Sequence, residues 1–424
     1  MEKLNMAEFT PQPSCADDVD HNNLTVEQAR QRIHDLLSPI SSWQKVSLRQ
    51  ALGQVLHQSV VSPRQVPPYN NSAMDGYALQ SADIKNAPFS LNNVGVAFAG
   101  KPYQGHVEAG QCIRIMTGAK IPDGCDTVVM QEQVESDNQT ITIHTDVKAG
   151  QNVRLAGEDI DCGDTVLPAG RRLTPADLGL LASLGIAEIV TYRPLRVAFF
   201  STGDELCGLG EHLGDGQIYD SNRYTLYGML SELNIDVIDM GVIPDNRAAL
   251  KIALEQAAAD ADVILSSGGV SVGDADYVKD MLAELGQVNF WKIAMRPGRP
   301  LAFGQIGEAM FFGLPGNPVS VMVTFYQFVQ PALKRLAGES DTLPIIIEVP
   351  CDNAIKKRAG RFEFQRGILF RNNEGQLRVS TTGAQGSGIL RSMSMANCFI
   401  LLEENCDGLS AGSLVNVQPF AGLV

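Results

Sequence analysis

The chain has 424 residues and too few basic ones to cover them: 33 Lys and Arg stand against 48 Asp and Glu, a formal net charge of −15. A surface this acidic makes a poor general binder of nucleic acid or of anionic membranes. The eight cysteines, at 15, 112, 125, 162, 207, 351, 398 and 406, form no C-x-x-C pair. The six histidines form no H-x-x-x-H. A zinc site and a disulfide framework are both disfavoured, and free or buried thiols in a reducing compartment fit better. No apolar run approaches the roughly 20 residues of a membrane span. The first 23 residues, MEKLNMAEFTPQPSCADDVDHNN, lack the apolar centre of a signal peptide. They read as a flexible tail on a cytoplasmic protein. Neither G-x-x-x-x-G-K-[ST] nor a G-x-G-x-x-G after a first strand is present, so P-loop and Rossmann readings lose.

What is present suits several packed domains: 44% of residues are hydrophobic and 19% charged. LTVEQARQRIHDLL (24–37) has helical apolar spacing with Thr25 as its cap, and TPADLGLLASLGI (174–186) starts on Thr174 with Pro175 in first position. Residues 24–61 and 156–193 are expected to pack together as one discontinuous linking domain, helical and mixed. Between them, residues 62–155 alternate in short stretches such as QTITIHTDV and read as an inserted β module, barrel-like or sandwich-like. From 194 to 341, strand and helix patterns alternate, which predicts a mainly parallel, doubly wound α/β domain. Past 341 the helical patterns stop, and residues 342–424 read as a small all-β domain. The fold class is therefore multidomain α/β plus β.

Ligands of open α/β sheets bind beyond the carboxyl ends of strands. Four such loops carry polar residues: STGDEL (201–206), IPDN (243–246), SSGGVSVGDADY (266–277) and LPGNP (314–318). Gly268, Gly269 and Gly273 can let backbone amides converge on an anion. Glu205, Asp245, Asp274 and Asp276 supply carboxylates of the kind that hold Mg²⁺ beside a phosphate, although each alone also reads as a helix cap. In GLPGNP, Asn317 can cap the following helix and Pro318 suits its first position, leaving a helix N-terminus open to an anion. No acid lies between Gly286 and Gly307, where Lys292, Arg296 and Arg299 form a local basic patch. Arg296 and Arg299 flank Pro297 and Gly298, and rigid arginine forks suit an oxyanion. IKKRAGRFEFQRG (355–367) adds further basics, of which Lys356, Lys357 and Arg358 read as a solvated face.

Seven stretches in order carry a resemblance: NNSAMDGYAL (70–79), IRIMTGAKIPDGCDTVVMQE (113–132), AGEDI (156–160), FFSTGDEL (199–206), SSGGVSVGDADY (266–277), RPGRPLAFG (296–304) and GLPGNPVS (313–320). They resemble the molybdopterin molybdenumtransferase, or molybdenum insertase, family, to which the E domain of gephyrin belongs. The resemblance implies four domains in an L-shaped homodimer, with a cleft between the α/β domain of one subunit and the β module of the other. It implies insertion of molybdate into adenylated molybdopterin with release of AMP, with Mg²⁺ as cofactor. It also implies a transient contact with the pterin adenylyltransferase, and no nucleic-acid or membrane partner.

Carried over motif by motif, Asp75, Asp245, Glu205 and Asp276 would be catalytic, with Asp245 and Asp276 at the metal. Thr117, Asp159, Gly268, Gly269, Lys292, Arg296, Arg299, Pro315, Pro318, Ser320, Arg366 and Ser387 would bind substrate. Many members have Lys where this chain has Arg296 and Arg299, so a bidentate fork replaces a point charge. Two other functions compete with this one. A molybdopterin adenylyltransferase would resemble the α/β part alone, and residues 24–193 and 342–424 speak against it. A non-catalytic pterin-binding scaffold is the second, against which stands the lack of a fused second α/β domain and long linker.

Overall fold

The computed structural model describes residues 23–137, 139–268 and 276–420, and for 276–280 the backbone alone. Two compact units emerge: Gln44–Thr191, and the residues up to Trp43 together with Tyr192–Val424.

In the first unit, six strands pair in the order Thr127–Met130, Gly76–Leu79, Gln111–Ile115, Phe89–Ala97, Thr140–Ile143, Val134–Ser136. The alternation read in TITI is the reason: Ile141 and Ile143 are buried and pair opposite Leu91 and Phe89. A separate core joins Ala51 and Leu56 to Leu167, Leu173, Leu181 and Ile189, so residues 44–61 and 165–189 pack together. The helix Pro175–Ser183 begins in a capping box, Thr174 Oγ1 accepting from the Asp177 N–H while the Asp177 carboxylate accepts from the Thr174 N–H at 2.9 Å.

In the second unit, the helix Val26–Leu36 also starts in a capping box, Thr25 with Gln28. Its apolar stripe of Val26, Ala29 and Ile33 enters the core of the α/β sheet, not that of residues 165–189, because the sheet offers a continuous apolar face. That sheet runs Asp236–Ile243, Arg196–Thr202, Val263–Ser267, Ala309–Leu314, Pro300–Ile306, Gly286–Lys292. The first four strands are mutually parallel, and Pro300–Ile306 runs antiparallel to both of its neighbours, Ala309–Leu314 and Gly286–Lys292. Alternate residues feed two cores. Val197, Phe199, Val263 and Leu265 join the helices Val26–Leu36, Ser221–Ser231 and Pro318–Thr324. Ala198, Phe200 and Ile264 join the helices Arg247–Asp260 and Asp276–Leu285. Strands apolar on both faces read as unbroken hydrophobic runs, as RVAFF and VIL do.

The last long helical run changes pitch twice: α over Pro318–Thr324, π over Phe325–Val329, and α again over Gln330–Leu336. Within the π turn, Gln327 meets Arg30 through both its side-chain amide and its backbone carbonyl, and donates to the Gln418 amide oxygen at 2.9 Å.

Past 341 the chain is rich in strands, ordered Met295–Arg296, Phe362–Arg371, Cys398–Leu402, Leu414–Pro419, Ile347–Pro350, with Leu377–Thr381 pairing Phe362–Arg371. Met295–Arg296, supplied from before residue 341, thus belongs to this sheet. A helix, Leu390–Met395, interrupts the all-β expectation; six residues are too few for a helical period to show in sequence. Among the described residues, no helix is long and apolar enough to cross a membrane. The described cysteines are free, and burial pushes the thiols of Cys112 and Cys398 up to about 12.

Candidate functional site

Where the strands Met295–Arg296 and Phe362–Arg371 run side by side, a cavity of about 330 Å³ opens in the second unit. Arg296, Lys356, Glu363, Gln365, Arg366 and Gln385 line it. Arg366 is only 1% exposed. Its Nε donates to Ser392 Oγ at 3.0 Å and its Nη2 to the Gly386 carbonyl at 3.0 Å. Gln385 accepts its backbone N–H at 2.8 Å. Among the described residues, no carboxylate pairs with this guanidinium. Burial, with Arg296 adding to it, lowers its pKa to about 10, still cationic at neutral pH. A buried cation without an anion is costly unless a ligand supplies one.

Parallel register sets Arg296 against Glu363, whose Oε1 lies 3.7 Å from Arg296 Nη1. Gln365 Nε2 donates to the other carboxylate oxygen at 3.0 Å and to the Lys356 carbonyl at 3.2 Å. The turn behind Arg296 needs Gly298: its φ is +91°, and a Cβ there would come within 2.7 Å of Thr324 Oγ1.

Of the expected site residues that are described, only Arg296 and Arg366 line this cavity. Lys292 is exposed at a strand end, and Arg299 Nη2 reaches Asn23 Oδ1 at 3.4 Å. Pro315 and Ser320 are buried, and Pro318 takes the first helical position as expected. Asn317 makes no side-chain cap, contrary to expectation. The Val319 N–H in that first turn donates to the Ser387 carbonyl at 3.1 Å, which leaves the helix end less open than GLPGNP suggests. Gly268 also differs from its reading as an anion-binding amide. Its N–H donates to the Leu314 carbonyl at 3.2 Å, and a Cβ would lie 2.5 Å from the Thr202 carbonyl oxygen. Close backbone packing is what requires glycine there. Glu205 is exposed with its carboxylate over Gly203, and the Asp245 N–H approaches Asp204 Oδ1 at 3.4 Å, joining two carboxylate-bearing loops. Gly269, Gly273, Asp274 and the side chain of Asp276 lie outside the described residues.

In the first unit, Asp75 and Thr117 meet on an exposed surface. Both the N–H and the hydroxyl of Thr117 donate to Asp75 Oδ1 at 2.7 Å. The backbone bond first, and then the hydroxyl, hold the Asp75 carboxyl below its ordinary range. Asp159 is exposed on a turn, its N–H donating to the Val66 carbonyl at 3.1 Å.

Known family models match the chain in three consecutive pieces. The MoeA N-terminal region (domain I and II) covers residues 24–185, a probable molybdopterin binding domain covers 198–335, and the MoeA C-terminal region (domain IV) covers 348–420. A molybdopterin molybdenumtransferase of Haemophilus influenzae is 45% identical over 403 residues, spanning 95% of this chain and all of the relative. The chain belongs to the molybdopterin molybdenumtransferase family. A Nostoc member is 36% identical across 96% of this chain and 94% of its own. The crystal structure of a molybdopterin biosynthesis moeA protein from Pyrococcus horikoshii superposes with a TM-score of 0.83 at 29% identity, covering 94% of this chain and all of that one.

The sequence reads Lys356 and Lys357 as a solvated face and gives Glu363, Gln365 and Gln385 no role. Lys356 borders the cavity. Lys357 is only 8% exposed, its ammonium donating to the carbonyls of Arg358, Glu404 and Cys406. The available signal was FEFQR, a strand in which every residue from Glu363 to Arg366 is buried despite three polar side chains.

Proposed function

We propose that this chain is a molybdopterin molybdenumtransferase, inserting molybdate into adenylated molybdopterin and releasing AMP during molybdenum cofactor biosynthesis. The observation that carries it is Arg366, a buried cation with no carboxylate partner among the described residues, lining a cavity shared with Arg296 and Lys356. Molybdate is a dianion and the pterin substrate carries phosphates, so bringing them together demands fixed cations. Arg366, Arg296 and Lys356 receive the oxyanion in this reading. Lys292, Arg299, Pro315, Pro318, Ser320 and Ser387 border the pterin. Thr117, Asp75 and Asp159 also serve the substrate, Thr117 orienting the Asp75 carboxylate.

Magnesium fits the nucleotide end. Asp204, Glu205 and Asp245 lie on two loops joined by the Asp245 N–H, and no group of three potential ligands forms among the described residues. Such a sparse set suits an ion that takes one or two carboxylates and completes its shell with water and phosphate oxygens. Asp245 and Asp276 would hold it, and it would neutralise charge on the phosphates being separated. The working protein in this proposal is a cytoplasmic homodimer of four domains, in which the helix Val26–Leu36 goes with the α/β domain whose core it enters, and it meets the pterin adenylyltransferase transiently.

The test supplies adenylated molybdopterin, molybdate and Mg²⁺ and measures AMP in a single turnover. Release that depends on molybdate and falls at least a hundredfold in Arg366→Met is expected. Adenylation of molybdopterin from ATP, without need of molybdate, would overturn the proposal.

A further inference from the structure

The cavity holds one charged group that an anion site does not need. Arg296, Lys356 and Arg366 contribute three positive charges to its lining, and Glu363 removes one, leaving a net of +2. Glu363 is 8% exposed and fixed from both sides, by Arg296 at 3.7 Å on one oxygen and by Gln365 at 3.0 Å on the other. Burial lowers the Arg366 pKa, and the positive charge of Arg296 adds to that lowering. A carboxylate is an acceptor only and can offer nothing to a fully ionised oxyanion. Its presence on the wall is therefore a cost to anion affinity that alters charge preference.

We propose that Glu363 is a specificity-determining residue, setting the cavity's charge so that a tetrahedral dianion neutralises it. This rests on the reading of the cavity as the oxyanion site. The Coulomb work between Glu363 and a bound anion is proportional to the anion's charge. Neutralising Glu363 therefore multiplies the affinity for a monoanion by one factor and that for a dianion of the same shape by its square. A purely structural role would move both affinities by one common factor.

The probes are molybdate and perrhenate, tetrahedral oxyanions of two charges and one, titrated calorimetrically into the full chain at low ionic strength. In Glu363→Gln, perrhenate should bind about five-fold and molybdate about 25-fold more tightly, the size of effect expected for charges a few ångströms apart in a partly solvated cavity. Glu363→Asp keeps the charge and should keep the wild-type ratio of the two affinities. Equal changes for both anions in Glu363→Gln, no change, or a ratio in Glu363→Asp that follows Glu363→Gln would each overturn the role of Glu363. Arg366→Met, and Lys356→Met at the exposed rim, test the cavity itself and should weaken molybdate at least ten-fold and several-fold. Wild-type molybdate affinity in both would overturn the cavity reading and Glu363 with it. Weakened binding there beside an unresponsive Glu363→Gln overturns Glu363 alone.

Discussion

Thr117 gives Asp75 two hydrogen bonds to a single oxygen, one from its backbone and one from its side chain, each 2.7 Å long. Thr117→Val removes the hydroxyl and keeps the N–H. The Asp75 carboxyl should then titrate higher than in the wild type yet still below the ordinary range, as ¹³C NMR of the carboxyl carbon will report. The sign follows from the depressed pKa. The contact stabilises the fold above the ordinary carboxyl range and is lost as pH falls through the lowered value. Thr117→Val narrows that window.

Arg193 grips Asp262 with two guanidinium bonds of 2.7 Å, and the Arg196 N–H adds a third at 2.8 Å. Burial pushes the Asp262 carboxyl up, but the Arg193 fork and that N–H outweigh it and leave the pKa lowered. Its stabilisation is fully present above the ordinary carboxyl range and disappears as pH falls through the lowered value. Asp262→Asn should cost about 1–3 kcal/mol at neutral pH and much less in acid. Thermal unfolding across a pH series will show the two curves converging.

Gly298 and Gly316 should respond unequally to alanine. Gly298→Ala combines a φ of +91° with a Cβ 2.7 Å from Thr324 Oγ1 and should cost about 1–3 kcal/mol. Gly316→Ala meets nothing within 4 Å and should stay within about 0.5 kcal/mol. Urea midpoints of the two variants decide it; equal midpoints would contradict the strain assigned to Gly298.

Lys357→Met should destabilise the strand-rich part of the second unit by about 1–3 kcal/mol, because three carbonyls lose their donor in a half-buried setting. Lys356→Met, at the adjacent and exposed residue, should leave the unfolding midpoint unchanged. Differential scanning fluorimetry on the pair separates a structural lysine from a surface one.

Neighbouring lysines that behave so differently show where sequence reading stops. The helix starts at Thr25 and Thr174 were legible because a cap is a local matter of one side chain and the N–H three residues on. The strands Arg196–Thr202 and Val263–Ser267 were legible because burial on both faces leaves an unbroken apolar run. The cavity was half legible: Arg296 and Arg366 stood out as forks in basic stretches. Glu363 did not, since an acid among basics reads as a surface ion pair until the parallel register of Met295–Arg296 and Phe362–Arg371 brings it indoors. Nor did the loss of the Val319 and Gly268 amides to Ser387 and Leu314, because both partners are distant in sequence.

The π turn at Phe325–Val329 has a consequence for how short the chain can be made. Pro331 has no N–H to give the carbonyl four residues back, and that carbonyl belongs to Gln327. Arg30, 297 residues earlier in the chain, supplies the missing donor through its Nε at 3.4 Å. A gap opened by a proline in one helix is closed by an arginine from another. Just ahead of Arg30, Leu24 exchanges backbone bonds with Lys292 and Ala294, at the root of the basic turn. Trimming from the N-terminal side therefore touches the basic turn at Asn23 and Leu24. Cutting past them unfastens Arg296's turn, and cutting past Arg30 frees the Gln327 carbonyl of the Pro318–Leu336 run as well, although neither is near the cut in sequence.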